Sequence, residues 1–91
     1  MTTLPDTEIE KIAKEVATEI GIPFKDVSTT AALDSAGLPA IEVTISITPG
    51  ASFDFFKDGR SSRTISEVHR RLADTGEERL PIVHYEGKRA P

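Results

Sequence analysis

Residues 40–48 read Ala-Ile-Glu-Val-Thr-Ile-Ser-Ile-Thr, and no other stretch of the chain constrains the fold as much. Ile41, Val43, Ile45 and Ile47 alternate with Glu42, Thr44, Ser46 and Thr48. Successive strand side chains point to opposite faces, so the run has one apolar and one polar face. Most of its residues are β-branched, which suits a pleated, half-buried surface. The pattern predicts a strand in a sheet that is covered on one side only.

The flanking segments supply the cover. Ile9, Ile12, Ala13, Val16, Ala17 and Ile20 fall on one stripe of a helix over residues 6–20. Thr3 or Asp6 is expected to cap its start, Gly21 to end it in the left-handed conformation, and Pro23 to stop it. Glu10 and Lys14 have the spacing of an ion pair on its outer face. Residues 27–33 form a weaker strand, and Asp34-Ser35-Ala36-Gly37 is a turn that makes it a hairpin with residues 40–48. Ser52 is expected to cap a short helical piece that carries Phe53, Phe55 and Phe56, with Phe55 pointing away from the other two. A second helix over residues 62–74 presents Ile65, Val68, Leu72 and Ala73, with His69 at the margin. Ser61, Ser62 and Thr64 are its candidate caps, Thr64 with Glu67 in capping-box spacing. Residues 77–79 read as a polar turn, residues 80–86 as a closing strand with Pro81 near its start, and residues 87–91 as a tail.

A helix lies in the crossover between the strong strand and the last one, so these two should run parallel and adjacent. The expected fold class is α+β: a two-layer α-β-β-(short α)-α-β arrangement, with a three-stranded mixed sheet and both helices on one face. Ninety-one residues make a single domain, with an ordered core over about residues 5–86. The chain has no cysteine, which excludes disulfides, thiolate metal sites and cysteine nucleophiles. No apolar run reaches the length of a membrane span or a signal-peptide core, so the expectation is a soluble, cytoplasmic chain with no membrane partner.

The element order over residues 6–86 resembles the type II K-homology (KH) fold. In that family a Gly-x-x-Gly loop between the two central helices grips a nucleic-acid backbone. The matching position here is Gly59-Arg60-Ser61-Ser62, where Ser62 replaces the second glycine and Asp58 precedes the loop. The resemblance implies binding of single-stranded RNA.

Net charge is −4, but residues 57–71 carry Lys57, Arg60, Arg63, Arg70 and Arg71 against only Asp58 and Glu67. A helix start offers free amides and a positive dipole end. Lys57, Gly59, Arg60, Ser61, Ser62, Arg63 and Arg70 are therefore the candidate anion or nucleic-acid site, and a phosphate-containing small ligand would suit the same residues. The plainer alternative is a turn with serine caps and solvated arginines. Phe55 is a candidate partner anchor. His69 and His84 stand without a carboxylate cluster, and no nucleophile is paired with a base, so no catalytic residue, metal site or cofactor is assigned. An acidic chain with an open polar sheet face and an unguarded edge strand at residues 27–33 reads first as a non-enzymatic binding domain, with a protein or a second copy of itself as partner. Nucleic acid is the alternative partner.

Overall fold

The computed structural model describes residues 3–87. Two helices, α1 (Asp6–Ile20) and α2 (Arg60–Asp74), pack on a sheet of β1 (Phe24–Leu33), β2 (Pro39–Ile47) and β3 (Leu80–Glu86). The strand order is β1-β2-β3, with β1 antiparallel and β3 parallel to the central β2. The expected class and topology hold. Residues 88–91, most of the expected tail, lie outside the described residues.

Helix α1 spans the expected residues, and its apolar stripe is buried. Neither Thr3 nor Asp6 caps it. Pro5 occupies the cap position, and its carbonyl accepts from the Glu8 and Ile9 amides at 3.0 and 3.2 Å. Proline presets the backbone there, so a side-chain acceptor is dispensable. At the other end Gly21 adopts φ 95°, and the Gly21 and Ile22 amides both donate to the Ala17 carbonyl. The left-handed turn sends Ile22 back into the core at 4 % exposure. Glu10 and Lys14 do not pair with each other. Glu10 accepts from the Thr29 hydroxyl at 3.2 Å and Lys14 lies 3.9 Å from Asp26, so both reach down to β1.

Strand β1 starts three residues earlier than expected, and its register with β2 slips between Phe24 and Asp26. From Asp26 onward the ladder is regular to Leu33↔Pro39. Asp34 shapes the hairpin turn, accepting from the Ala36 and Leu38 amides at 2.8 and 2.9 Å, while Gly37 takes φ 80°. Ile41, Val43, Ile45 and Ile47 form the floor of the core, at 0–3 % exposure. In register beside them, Pro81, Val83 and Tyr85 of β3 face the same way.

Helix α2 begins two residues before the expected start. Its buried stripe is Ser61, Thr64, Val68 and Leu72; Ile65 is only half-buried and Ala73 is exposed. Small hydroxyl residues thus take buried positions on this helix, and among the described residues no buried side-chain polar atom lacks a partner. The Thr64 hydroxyl donates to the Arg60 carbonyl at 2.9 Å, and the Tyr85 hydroxyl donates to the Ser61 carbonyl at 2.9 Å. Desolvation raises the Tyr85 pKa above its usual value, so the phenol stays a donor.

Glu77 is not part of a solvated turn. Its side chain is fully buried and paired with Arg79 at 2.9 Å, and it accepts from the Leu4 and Arg79 amides at 2.9 Å each. The Arg79 guanidinium reaches on to the Leu4 carbonyl. One buried carboxylate thus joins the segment before α1 to the segment before β3.

Candidate functional site

The start of α2 is built as follows. A single 3-10 turn, Asp54–Phe56, delivers the chain to Gly59, whose φ of 86° lets it enter the helix directly. Ser52 is not the cap of this turn as expected: Phe53 holds the cap position, and the Ser52 hydroxyl, one residue further back, accepts from the Asp54 amide at 3.1 Å. The first of the free amides at the head of α2 is already taken. Asp58 Oδ1 accepts from the Arg60 amide at 3.1 Å, and Asp58 Oδ2 accepts from Arg60 Nε at 2.8 Å. Desolvation acts to raise the Asp58 pKa, but the hydrogen bonds and charge of Arg60 outweigh it and the net shift is downward. A protein carboxylate therefore occupies the first of the amides that a bound anion would use.

Arg60 is engaged a second time. Its Nη1 donates to the Gly21 carbonyl at 2.7 Å, placing a cation on the C-terminal end of α1. Ser61 is buried. None of Ser61, Ser62 and Thr64 acts as the helix cap. Of the loop candidates, only Ser62, Arg63 and Lys57 remain on the surface.

The basic stripe is largely neutralised. Arg70 pairs with Glu67 and, at 3.0 Å, with Asp74. Arg71 donates to Glu67 at 2.9 Å and to both oxygens of Glu19 at 2.8 and 3.0 Å. Hydrogen bonds from Arg70 and Arg71 hold Glu67 at a pKa of about 2, and the bond from Arg71 lowers that of Glu19. A groove of about 530 Å³ between the helices has Val16 and Ile20 in its lining and this ion network along its wall. Among the described residues, Lys57 and Arg63 are the cations of the segment that make no ion pair. The candidates are thus close in space, but their charge is turned mostly on the protein itself.

Phe55 is a core residue, not an exposed anchor. It is 0 % exposed, with its ring centroid 4.5 Å from Phe56 and 5.5 Å from Tyr85. The tight 3-10 turn points Phe55 inward and leaves Phe56 at 45 % exposure. Among the described residues no group of three histidine or acidic side chains is arranged to hold a metal. His84 lies 3.7 Å from Glu42 on the open sheet face, and His69 is half-buried on α2. Among the described residues no helix is long and apolar enough to cross a membrane.

What stands open is the sheet. β1 and β3 are its two edges. β3 is short and carries Pro81 as its second residue, a guard against further pairing. β1 is ten residues long, has no proline, and is uncharged from Val27 to its end. The hairpin beyond it exposes Leu33 at 68 % and Leu38 at 61 %. Comparison with protein families, characterised proteins and solved structures finds no match to this chain.

Proposed function

We propose that this chain is a non-enzymatic binding domain whose working surface is the outer edge of β1. The observation that carries the reading is the uncharged stretch of residues 27–33 at that edge: the Val27 amide is taken by Asp26 Oδ1 at 2.8 Å, and from Thr29 onward the outward-facing backbone groups are open to a further strand. Every other residue of an edge strand turns its N–H and C=O outward, and those groups form a template for one more strand. Main-chain hydrogen bonds would supply affinity, and the side chains flanking the edge would supply selectivity. Ser28 and Thr30 are exposed beside it on the open face, and Ala31 and Leu33 on the helix-bearing face.

The basic start of α2 supports binding less well, because Asp58, Glu67, Glu19 and Asp74 already occupy its arginines. A synthetic peptide of residues 24–33 tests the edge directly. Titrated into the isotope-labelled protein, it should shift the β1 amides saturably and leave those of β3 in place. Shifts absent from β1, or spread evenly over the surface, would overturn the reading.

A further inference from the structure

Helix α1 lies against β1 and runs opposite to it: Glu10 meets Thr29 and, further along the helix, Lys14 meets Asp26. A helix rises about 1.5 Å per residue and a strand about 3.3 Å, so the first turn of α1 comes level with roughly residue 31 of β1. Beyond that level the helix-bearing face has no lid. Val27 is buried there, whereas Ala31 and Leu33 of the same face are exposed. The strand thus carries an uncovered apolar end on its helix side next to an open backbone edge.

We infer that the strand added to β1 is the β1 of a second copy of this chain, antiparallel and centred on Thr29, which gives a continuous six-stranded sheet. The inference rests on the edge reading above and names its occupant. Symmetry and register select the pairing. A two-fold axis normal to the sheet pairs residues whose numbers sum to a constant. Only an even sum keeps like faces together and both helix layers on one side. The ladder is regular from Asp26 to Leu33, so the centre falls on Thr29 or Thr30, and Thr29 is the choice that keeps acidic residues apart across the seam. Asp26 then faces Ala32, Val27 faces Ala31, and Ser28 faces Thr30 of the other copy. Moving the centre to Thr30 would set Asp26 against Asp34 from both sides, and moving it to Ser28 would draw the slip at Lys25 into the seam.

The helices complete the fit. Thr7, Glu10, Lys11, Lys14 and Glu15 line a shallow pocket on α1. An antiparallel second α1 brings Lys11 of each chain beside Glu10 of the other. It also carries the second half of that helix level with the uncovered Leu33. Two chains of net charge −4 meet along a seam that is uncharged from Val27 to Leu33, so bulk repulsion is weakest there.

Sedimentation equilibrium of the full chain, from micromolar to millimolar concentration, tests the inference. The mass should rise from 9.9 kDa toward twice that value. Ser28 and Thr30 are exposed, so the double variants S28K/T30K and S28E/T30E should keep the fold, checked by circular dichroism, and each should stay at the single-chain mass. Ala31→Pro, which removes one outward-facing backbone donor without touching the ladder to β2, serves if a double variant loses its fold, and it too should stay at the single-chain mass. An equimolar mixture of the lysine and glutamate variants should recover the doubled mass, because position 28 of one chain faces position 30 of the other. A wild-type mass that stays at 9.9 kDa, charged variants that associate like the wild type, or a mixture that stays monomeric would each overturn it. If the mass stays single while the peptide of residues 24–33 still binds β1, only the second copy is lost as occupant. If the peptide also fails to bind, the edge itself is not the surface.

Discussion

Among the described residues, Glu77 is the charged side chain that the fold buries. Its carboxylate is buried and accepts from Arg79 and from two backbone amides, and these bonds, led by the Arg79 side chain, hold its pKa at about 2 against an ordinary 4.5. A depressed carboxylate contributes stability above its unfolded pKa and loses it as the pH falls through its folded pKa. Thermal melts of wild type and Glu77→Gln should therefore differ most above pH 4.5 and converge as the pH falls toward about 2. Glu77→Ala, which leaves Arg79 without its buried partner, should cost about 3 kcal/mol in denaturant unfolding at neutral pH. Phe55→Ala should cost about 3–5 kcal/mol and Phe56→Ala far less, because only the first leaves a cavity. Neither role was legible in the sequence. Glu77 lies in a run of charges that reads as solvated, and its partner at Leu4 is remote in the chain. For the phenylalanines, a helical period was the wrong guide to a single 3-10 turn.

At the scale of elements the sequence was a better guide. α1 and β2 have strong, uninterrupted periods, and their limits match the expectation to within one residue. α2 was legible as a helix, but its buried stripe was displaced from Ile65 and Ala73 to Ser61 and Thr64. Hydrophobicity alone cannot signal a helix that buries small hydroxyl side chains. The candidate anion site failed for a related reason. Sequence spacing shows which charges are near one another along the chain, but Arg60 and Arg71 find partners on α1, far away in sequence. With those guanidiniums occupied, mixed single-stranded RNA titrated at moderate salt should leave the amides of residues 57–71 unshifted. Shifts confined to that segment and suppressed by added salt would restore the α2 start as a binding surface. Arg60→Ala should lower the melting temperature, since it releases the Gly21 carbonyl just beyond α1, and should leave binding at β1 unchanged.

On the scale of the whole molecule, the helices cover a three-stranded sheet incompletely. The hairpin runs on past α1, leaving Leu33 and Leu38 exposed at 68 % and 61 %. Strand order was legible because a helical crossover between strands demands parallel neighbours. How far the hairpin outruns its cover was not, since that depends on where α1 lies along β1. The measurement that bears most directly on the open edge is amide hydrogen exchange of β1 in dilute protein, where any second copy has dissociated. Alternate β1 amides, those turned away from β2, should exchange rapidly while the β2 amides stay protected, and raising the concentration should slow the rapid set. Uniform protection of all β1 amides at high dilution would show that the edge is already closed within the single chain, and would contradict its role as the binding surface.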